Sequence, residues 1–241
     1  HLGGPRVEEM LSLCKKDKVE ILWADSHSEI RTCTTILSDG KATELVEEPY
    51  PVDSSTEGPV RKLFSEAIQR SDALIICGTR APGYSPNLYA DFVKEAKERN
   101  LFVLLDLKGE DLKRCLPFGV DVIKPNLSEA AQTFLGLTVG EQEETGELEE
   151  KIKPILKQIH QEHHTSTVLS RGSQEVWVQS AEFFCVPIEQ VKAVNTIGCG
   201  DSLGAALTVA LYKSTNLQQA VQYATKIATK NAKTVRPGTI F

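Results

Sequence analysis

No apolar run in this chain is long enough to span a bilayer, and the opening residues carry no basic-then-apolar segment of the signal type. The expectation is a protein without a membrane partner. The six cysteines, at positions 14, 33, 77, 115, 185 and 199, include no C-x-x-C pair and no zinc-type cluster. Several lie in apolar runs, such as Cys77 in ALIICG, and read as reduced, partly buried thiols of a cytoplasmic protein. A basic excess is missing as well. The formal net charge is −6 and the sequence pI is near 5.5, the wrong sign for a chain that neutralises nucleic-acid phosphates. A substrate phosphate remains compatible, because a few local donors suffice to hold one. Internal repeats and low-complexity tracts are also absent.

What is present, 241 residues, suits one α/β domain or a domain with a small appendage. Apolar residues make up 41% and charged residues 25%, enough for a sizeable core under an ordinary polar surface. The spacing predicts helices over 5–17, 60–70, 86–100, 109–115, 128–135, 149–163, 200–213 and 216–233. Ser214 and Thr215 offer an N-cap for the last of these. Strands are expected over 19–24, 72–78, 101–107, 120–126, 166–170 and 175–179, followed by FFCVPI. The near-continuous apolar runs at 74–77, 102–106 and 121–123 predict strands buried on both faces, as in a parallel sheet between helices. Residues 32–48 differ: two β-rich runs flank Ser-Asp-Gly-Lys, a hairpin turn signal. The acidic stretch 141–150 reads as a solvated helix start. Trp23 and Trp177 fall on expected strands and read as packing residues.

The segment with chemistry in it is VNTIGCGDSLGAALTVAL, residues 194–211. Glycines ahead of a helix permit tight turns and leave N–H groups pointing outward. Those N–H groups and the helix dipole favour an anion, so Gly198, Cys199 and Gly200 form a candidate anion site. Asp201 stands at its mouth. As an N-cap it would be structural; as a general base beside a phosphoryl acceptor it would be catalytic.

N-T-I-G-C-G-D-S resembles the signature N-T-x-G-A-G-D-x-F of the PfkB, or ribokinase-like, family of carbohydrate kinases. Cys199 stands where alanine is usual and Leu203 where phenylalanine is usual. K-P-N-L-S-E at 124–129 is similar to the family's K-P-N-x-x-E element. There the resemblance implies that Asn126 and Glu129 organise Mg2+ and the phosphates, the metal being reached through water; Asn126 also suits a helix cap. Ser170-Arg171-Gly172 resembles the S-x-G turn beside the nucleotide, making Ser170 and Gly172 candidate ATP-binding residues. CGTRAPG at 77–83 and Asp106 with Gly109 resemble further family elements. The final helix resembles the one on the adenine side, with Asn231 as its candidate residue.

The similarity runs along essentially the whole chain and is closest to the 1-phosphofructokinase and tagatose-6-phosphate kinase branch. Glu29-Ile30-Arg31-Thr32 enters the hairpin where that branch has its phosphate-binding arginine. Arg31 is thus a candidate for the substrate phosphate, against the alternative of a surface arginine on an edge strand. Arg80 and Lys108 replace uncharged family residues and read mainly as solvent-facing. The family's opening strand and its G-G-K-G-x-N sugar loop are not in this sequence, and HLGGP resembles the stretch just after that loop. The expectation is an incomplete family member, with a degenerate relative as the alternative.

The resemblance implies a ribokinase-like three-layer α/β/α sandwich with a mostly parallel central sheet and a small β-lid at about 19–48, all within one domain, 1–241. It implies an ATP-dependent phosphotransferase with ATP and Mg2+ as cofactors. A sugar phosphate of the fructose 1-phosphate or tagatose 6-phosphate type would accept the phosphoryl group, with Asp201 as base and the 198–200 turn around the transferred group. Alternatives are a kinase for an unphosphorylated sugar or nucleoside, and a non-catalytic nucleotide-binding relative. A homodimer paired through the β-lid is expected. His160, His163 and His164, at i, i+3 and i+4, lack the glutamate of an H-E-x-x-H motif and suit a helix C-terminus without a metal.

Overall fold

The computed structural model describes residues 1–38, 41–138, 146–213 and 216–240. They form two compact units, His1–Ser71 with Arg80–Leu88, and Asp72–Thr79 with Tyr89–Phe241.

The first unit holds helix α1 (Val7–Lys16), strands β1 (Cys33–Ser38) and β2 (Lys41–Val46), and helix α2 (Glu57–Ala67), which runs into a 3-10 turn at Ile68–Arg70. β1 and β2 pair antiparallel from Cys33↔Val46 to Ser38↔Lys41. The expected Asp-Gly turn itself, residues 39–40, lies outside the described residues. No strand forms over 19–24. Only Leu2↔Asp25 bridges nearby, and Val19, Leu22 and Trp23 are exposed, so apolar content there finds no ladder among the described residues. Trp23 is consequently not a core residue.

The second unit holds strands β3 (Ala73–Cys77), β4 (Phe102–Asp106), β5 (Val122–Ile123), β6 (Ser166–Arg171), β7 (Gln174–Gln179) and β8 (Phe183–Val186). They make one six-stranded sheet in sequence order. β3 to β6 pair parallel, and β7 and β8 add antiparallel. The connecting helices are α3 (Leu88–Glu98), α4 (Gly109–Cys115), α5 (Leu127–Leu135) and α6 (Gly146–His163); α7 (Cys199–Tyr212) and α8 (Leu217–Ala232) follow the sheet.

Alternation along the strands assigns each face of this sheet to different helices. Val168, Val176, Val178 and Val186 pack with Leu203, Leu207, Val221 and Ala224 of α7 and α8. Leu169 and Trp177 point the other way and pack with Ala130, Ala131, Ile152 and Leu156 of α5 and α6. The result is the α/β/α layering expected from the sequence. β3 departs from its expectation. With one ladder partner among the described residues, it leaves Ile75 40% exposed and Cys77 exposed.

One capping assignment and one helix start also shift. α8 is capped by Asn216, whose side chain accepts the Gln219 N–H at 2.9 Å, while Ser214 and Thr215 lie outside the described residues. α6 begins at Gly146, and residues 141–145 of the acidic stretch are likewise outside. At the other end of α6, His160 Nδ1 lies 3.2 Å from the Thr165 carbonyl. Among the described residues no cluster of His, Cys, Asp or Glu could hold a metal directly. No helix among them is long and apolar enough to cross a membrane.

Candidate active site

Parallel strands deliver their carboxyl ends to one edge of the sheet, the edge where α/β folds bind ligands. Here β3 ends at Cys77 and β4 at Asp106, which are register partners. β5 ends one residue before Lys124.

Lys124 is buried, its side chain 4% exposed, and its Nζ lies 2.8 Å from Asp106 Oδ2. A charge taken out of water needs such a partner. Burial pushes the Asp106 carboxyl up; Lys124 pulls it back, and Glu129 and Asp201 add smaller upward pushes. Those interactions place Asp106, Glu129 and Asp201 in one electrostatic neighbourhood around one buried lysine. The Cys77 thiol is also pushed up, first by burial, then by Asp201 and Asp106, with Lys124 opposing.

α7 enters this neighbourhood from above Lys124. A Cβ on Gly200 would sit 3.4 Å from Lys124 Nζ, and one on Gly204 would sit 3.4 Å from Lys124 Cε. Glycine at i and i+4 thus puts one face of the helix in close contact with the lysine stem. Gly198 occupies the N-cap in the left-handed region, φ +73°, which reverses the chain into the helix. Asp201 is therefore not the N-cap. It is the third helical residue, exposed, in the turn where a carboxylate suits the dipole.

Among the described residues the N–H groups of Gly198, Gly200 and Asp201 have no hydrogen-bond partner. The N–H of Cys199 does: it donates to the Thr196 carbonyl at 3.2 Å. The unpartnered amides of this turn are accordingly those of 198, 200 and 201 and not the expected 198–200, because the tight turn consumes the amide at 199. The Cys199 thiol faces inward, donating to the Ala228 carbonyl at 3.4 Å.

Asn126 caps α5. Its Oδ1 accepts the Glu129 N–H at 2.8 Å, and Glu129 Oε2 accepts the Asn126 N–H at 2.9 Å. This capping box fixes both side chains and, among the described residues, leaves Glu129 Oε1 without a hydrogen-bond partner. The Ser170 N–H donates to the Pro125 carbonyl at 3.1 Å, and Ser170 bridges Asn126 in parallel fashion. The K-P-N and S-R-G elements, far apart in sequence, are thereby neighbours. Gly172 takes φ +62° at the β6–β7 turn. Between these glycine and serine positions, the Arg171 guanidinium stacks 4.1 Å from the Trp177 ring centre and binds Glu149 and Gln174.

Asn231 is fully buried. Its Oδ1 accepts the Gly238 N–H at 2.8 Å and its Nδ2 donates to the Ile197 carbonyl at 2.7 Å. An amide engaged at both ends inside the fold is not offered to a ligand, so a direct contact with adenine does not fit this arrangement. In the other unit, Arg31 is exposed just ahead of β1. Arg80 donates to the Tyr84 carbonyl at 2.9 Å, so it is not simply solvent-facing; against burial, the Ser85 N–H and Arg61 hold the Glu57 carboxyl down, with Arg80 adding a smaller pull. Lys108, exposed, precedes α4.

Sequence reasoning missed the Lys124–Asp106 pair. The available signal was a lysine closing an apolar strand, since such a charge must find an acid in the fold. Two surface hollows, about 520 Å3 beside Lys153 and Phe183 and about 410 Å3 beside Trp23 and Lys62, lie on other residues.

The pfkB family carbohydrate kinase model matches residues 2–239. Phosphofructokinase-2 from Escherichia coli, in complex with potassium, superimposes with a TM-score of 0.82 at 18% identity, over 98% of this chain and 75% of that one. A protein described as a possible 1-phosphofructokinase, from Thermotoga maritima, gives a TM-score of 0.81 at 18% identity, over 98% and 75%. Adenosine kinase from Anopheles gambiae gives a TM-score of 0.75 at 17% identity, over 97% and 72%.

Proposed function

Because the chain belongs to the pfkB family of carbohydrate kinases, we propose that it transfers the ATP γ-phosphoryl group to a hydroxyl of a sugar phosphate. The observation that carries this reading is the turn at the head of α7. Three N–H groups there lack partners among the described residues, and an exposed carboxylate stands in the first turn of the same helix.

Asp201 accepts the proton as the sugar hydroxyl oxygen forms its bond to phosphorus and the bond to the leaving ADP oxygen breaks. The amides of Gly198, Gly200 and Asp201 hold the charge on the transferred group without having to reorganise. Ser170 and Gly172 take the nucleotide side, next to Asn126. Asn126 and Glu129 would hold Mg2+ through water. The fit is electrostatic: Asp106, Glu129 and Asp201 outnumber their one lysine, and Glu129 keeps one oxygen free of its capping box. When bound, the cation would neutralise phosphate charge. Arg31 takes the phosphate already on the sugar, a role suited to guanidinium. The β1–β2 hairpin, with Leu45 57% exposed and Ile36 50% exposed, supports pairing with a second copy. Six cysteines that all stand as free thiols support a reducing, cytoplasmic setting.

The test is an ADP-release panel with fructose 1-phosphate, tagatose 6-phosphate and fructose 6-phosphate beside free fructose, ribose and adenosine, each with Mg2+. Turnover at least tenfold faster with a sugar phosphate is expected. Faster turnover with an unphosphorylated sugar or adenosine would move the assignment to that substrate class. ADP release from none of them would end the catalytic reading.

A further inference from the structure

We propose that Asn231 and the C-terminal turn it closes, residues 234–238, position the phosphoryl-binding turn at Gly198; this rests on the kinase reading above. The carbonyl of Ile197 precedes the first unpartnered amide of the cradle. It is held by Asn231 Nδ2 at 2.7 Å. The Ile197 N–H is held by Asn195 Oδ1 at 3.0 Å. Both peptide groups of the residue ahead of Gly198 are therefore fixed by buried asparagines.

The same two asparagines also hold the chain end. Asn231 Oδ1 accepts the Gly238 N–H at 2.8 Å, and Asn195 Nδ2 donates to the Val235 carbonyl at 2.9 Å. Backbone bonds add to this: the Val194 and Asn195 N–H groups both donate to the Ala232 carbonyl, at 2.7 and 3.2 Å. Pro237 then closes over the turn, its Cβ 3.1 Å from where a Gly198 Cβ would be. Asn231 and Asn195 are 0% and 5% exposed, so each bond is shielded from competing water.

The consequence lies in direction. With the Ile197 carbonyl held inward by Asn231, the same peptide group presents its N–H, on Gly198, outward. Amides that point at a developing charge without rearrangement stabilise it most. Asn231 thus acts through the turn, and its role is positioning. A nucleotide-contacting residue would chiefly set the ATP KM, whereas a positioning residue chiefly sets kcat.

The experiment compares the full chain with Asn231→Asp, which keeps the acceptor for Gly238 and loses the donor to Ile197. A second variant, Pro237→Gly, leaves α8 and its asparagine untouched and covers the case in which the first fails to fold. Melting temperature, kcat, the ATP KM and backbone amide NMR shifts are measured, the kinetics well below the melting transition. Expected are a kcat loss of about tenfold or more, an ATP KM within about twofold of the parent, and shifted amides at Gly198, Gly200 and Asp201. Parent-like kcat and loop amides with only a lower melting temperature would overturn the proposal. So would a raised ATP KM at unchanged kcat. If the parent turns over no substrate, the kinase reading fails, and the loop amide shifts alone decide whether Asn231 positions the turn.

Discussion

Lys124 reaches Asp106 at 2.8 Å and lies against the glycine face of α7, where a Cβ on Gly200 or Gly204 would come to 3.4 Å from its side chain. Breaking such a pair strands a charge. Lys124→Met should cost about 3–5 kcal/mol in urea unfolding. Adding Asp106→Leu should recover much of it, because no charge is then left unpaired. A double variant no more stable than the single would show that the pair is not what Lys124 contributes.

Asp201→Asn should reduce turnover by about 10²-fold or more while ATP binding, followed by calorimetry, is kept. The same variant has a second readout independent of turnover. Asp201 is one of the charges that raise the Cys77 thiol. Removing it lowers that pKa, so Cys77 should alkylate faster with iodoacetamide at pH 8. An unchanged rate would mean that the two side chains do not share one electrostatic neighbourhood in solution.

Gly198→Ala asks whether the turn tolerates a side chain. A residue with Cβ at φ +73° costs about 1–2 kcal/mol, and the new methyl group would also press on Pro237. A lower melting temperature together with lost turnover is expected. Parent-like stability would mean that the turn takes another conformation in solution.

The Cys115 thiol, wholly buried, is pushed up by burial from its ordinary 9.0 to about 12. Below pH 9 both folded and unfolded chains carry the proton, so this thiol gives stability no pH dependence. Between about pH 9 and 12 only the unfolded chain loses it, and stability should fall by about 1.4 kcal/mol per pH unit. Cys115→Val should flatten that slope in alkaline urea titrations. An equal slope in the variant would assign the effect to other groups.

Much of the site was legible because short-range chemistry wrote it. The turn at Gly198 needs a residue without Cβ, and Asn126 with Glu129 form a capping box within four residues, so both left local signals. The core faces were legible for the same reason: Val168, Leu169, Val176, Trp177 and Val178 follow the two-residue period of a strand. Residues 19–24 misled because apolar content alone cannot say whether a partner strand stands beside it. Cys77 misled likewise, since edge position is a property of the sheet.

The sequence by itself determined the order of most elements, the α/β layering and the residue types at the glycine turn ahead of α7, each set by neighbours a few positions away. Tertiary structure alone decided that Lys124 meets Asp106, that Cys199 spends its amide on the turn, and that Asn231 is sealed inside. Those outcomes depend on which groups remain unpaired once distant segments meet, and no local pattern encodes that.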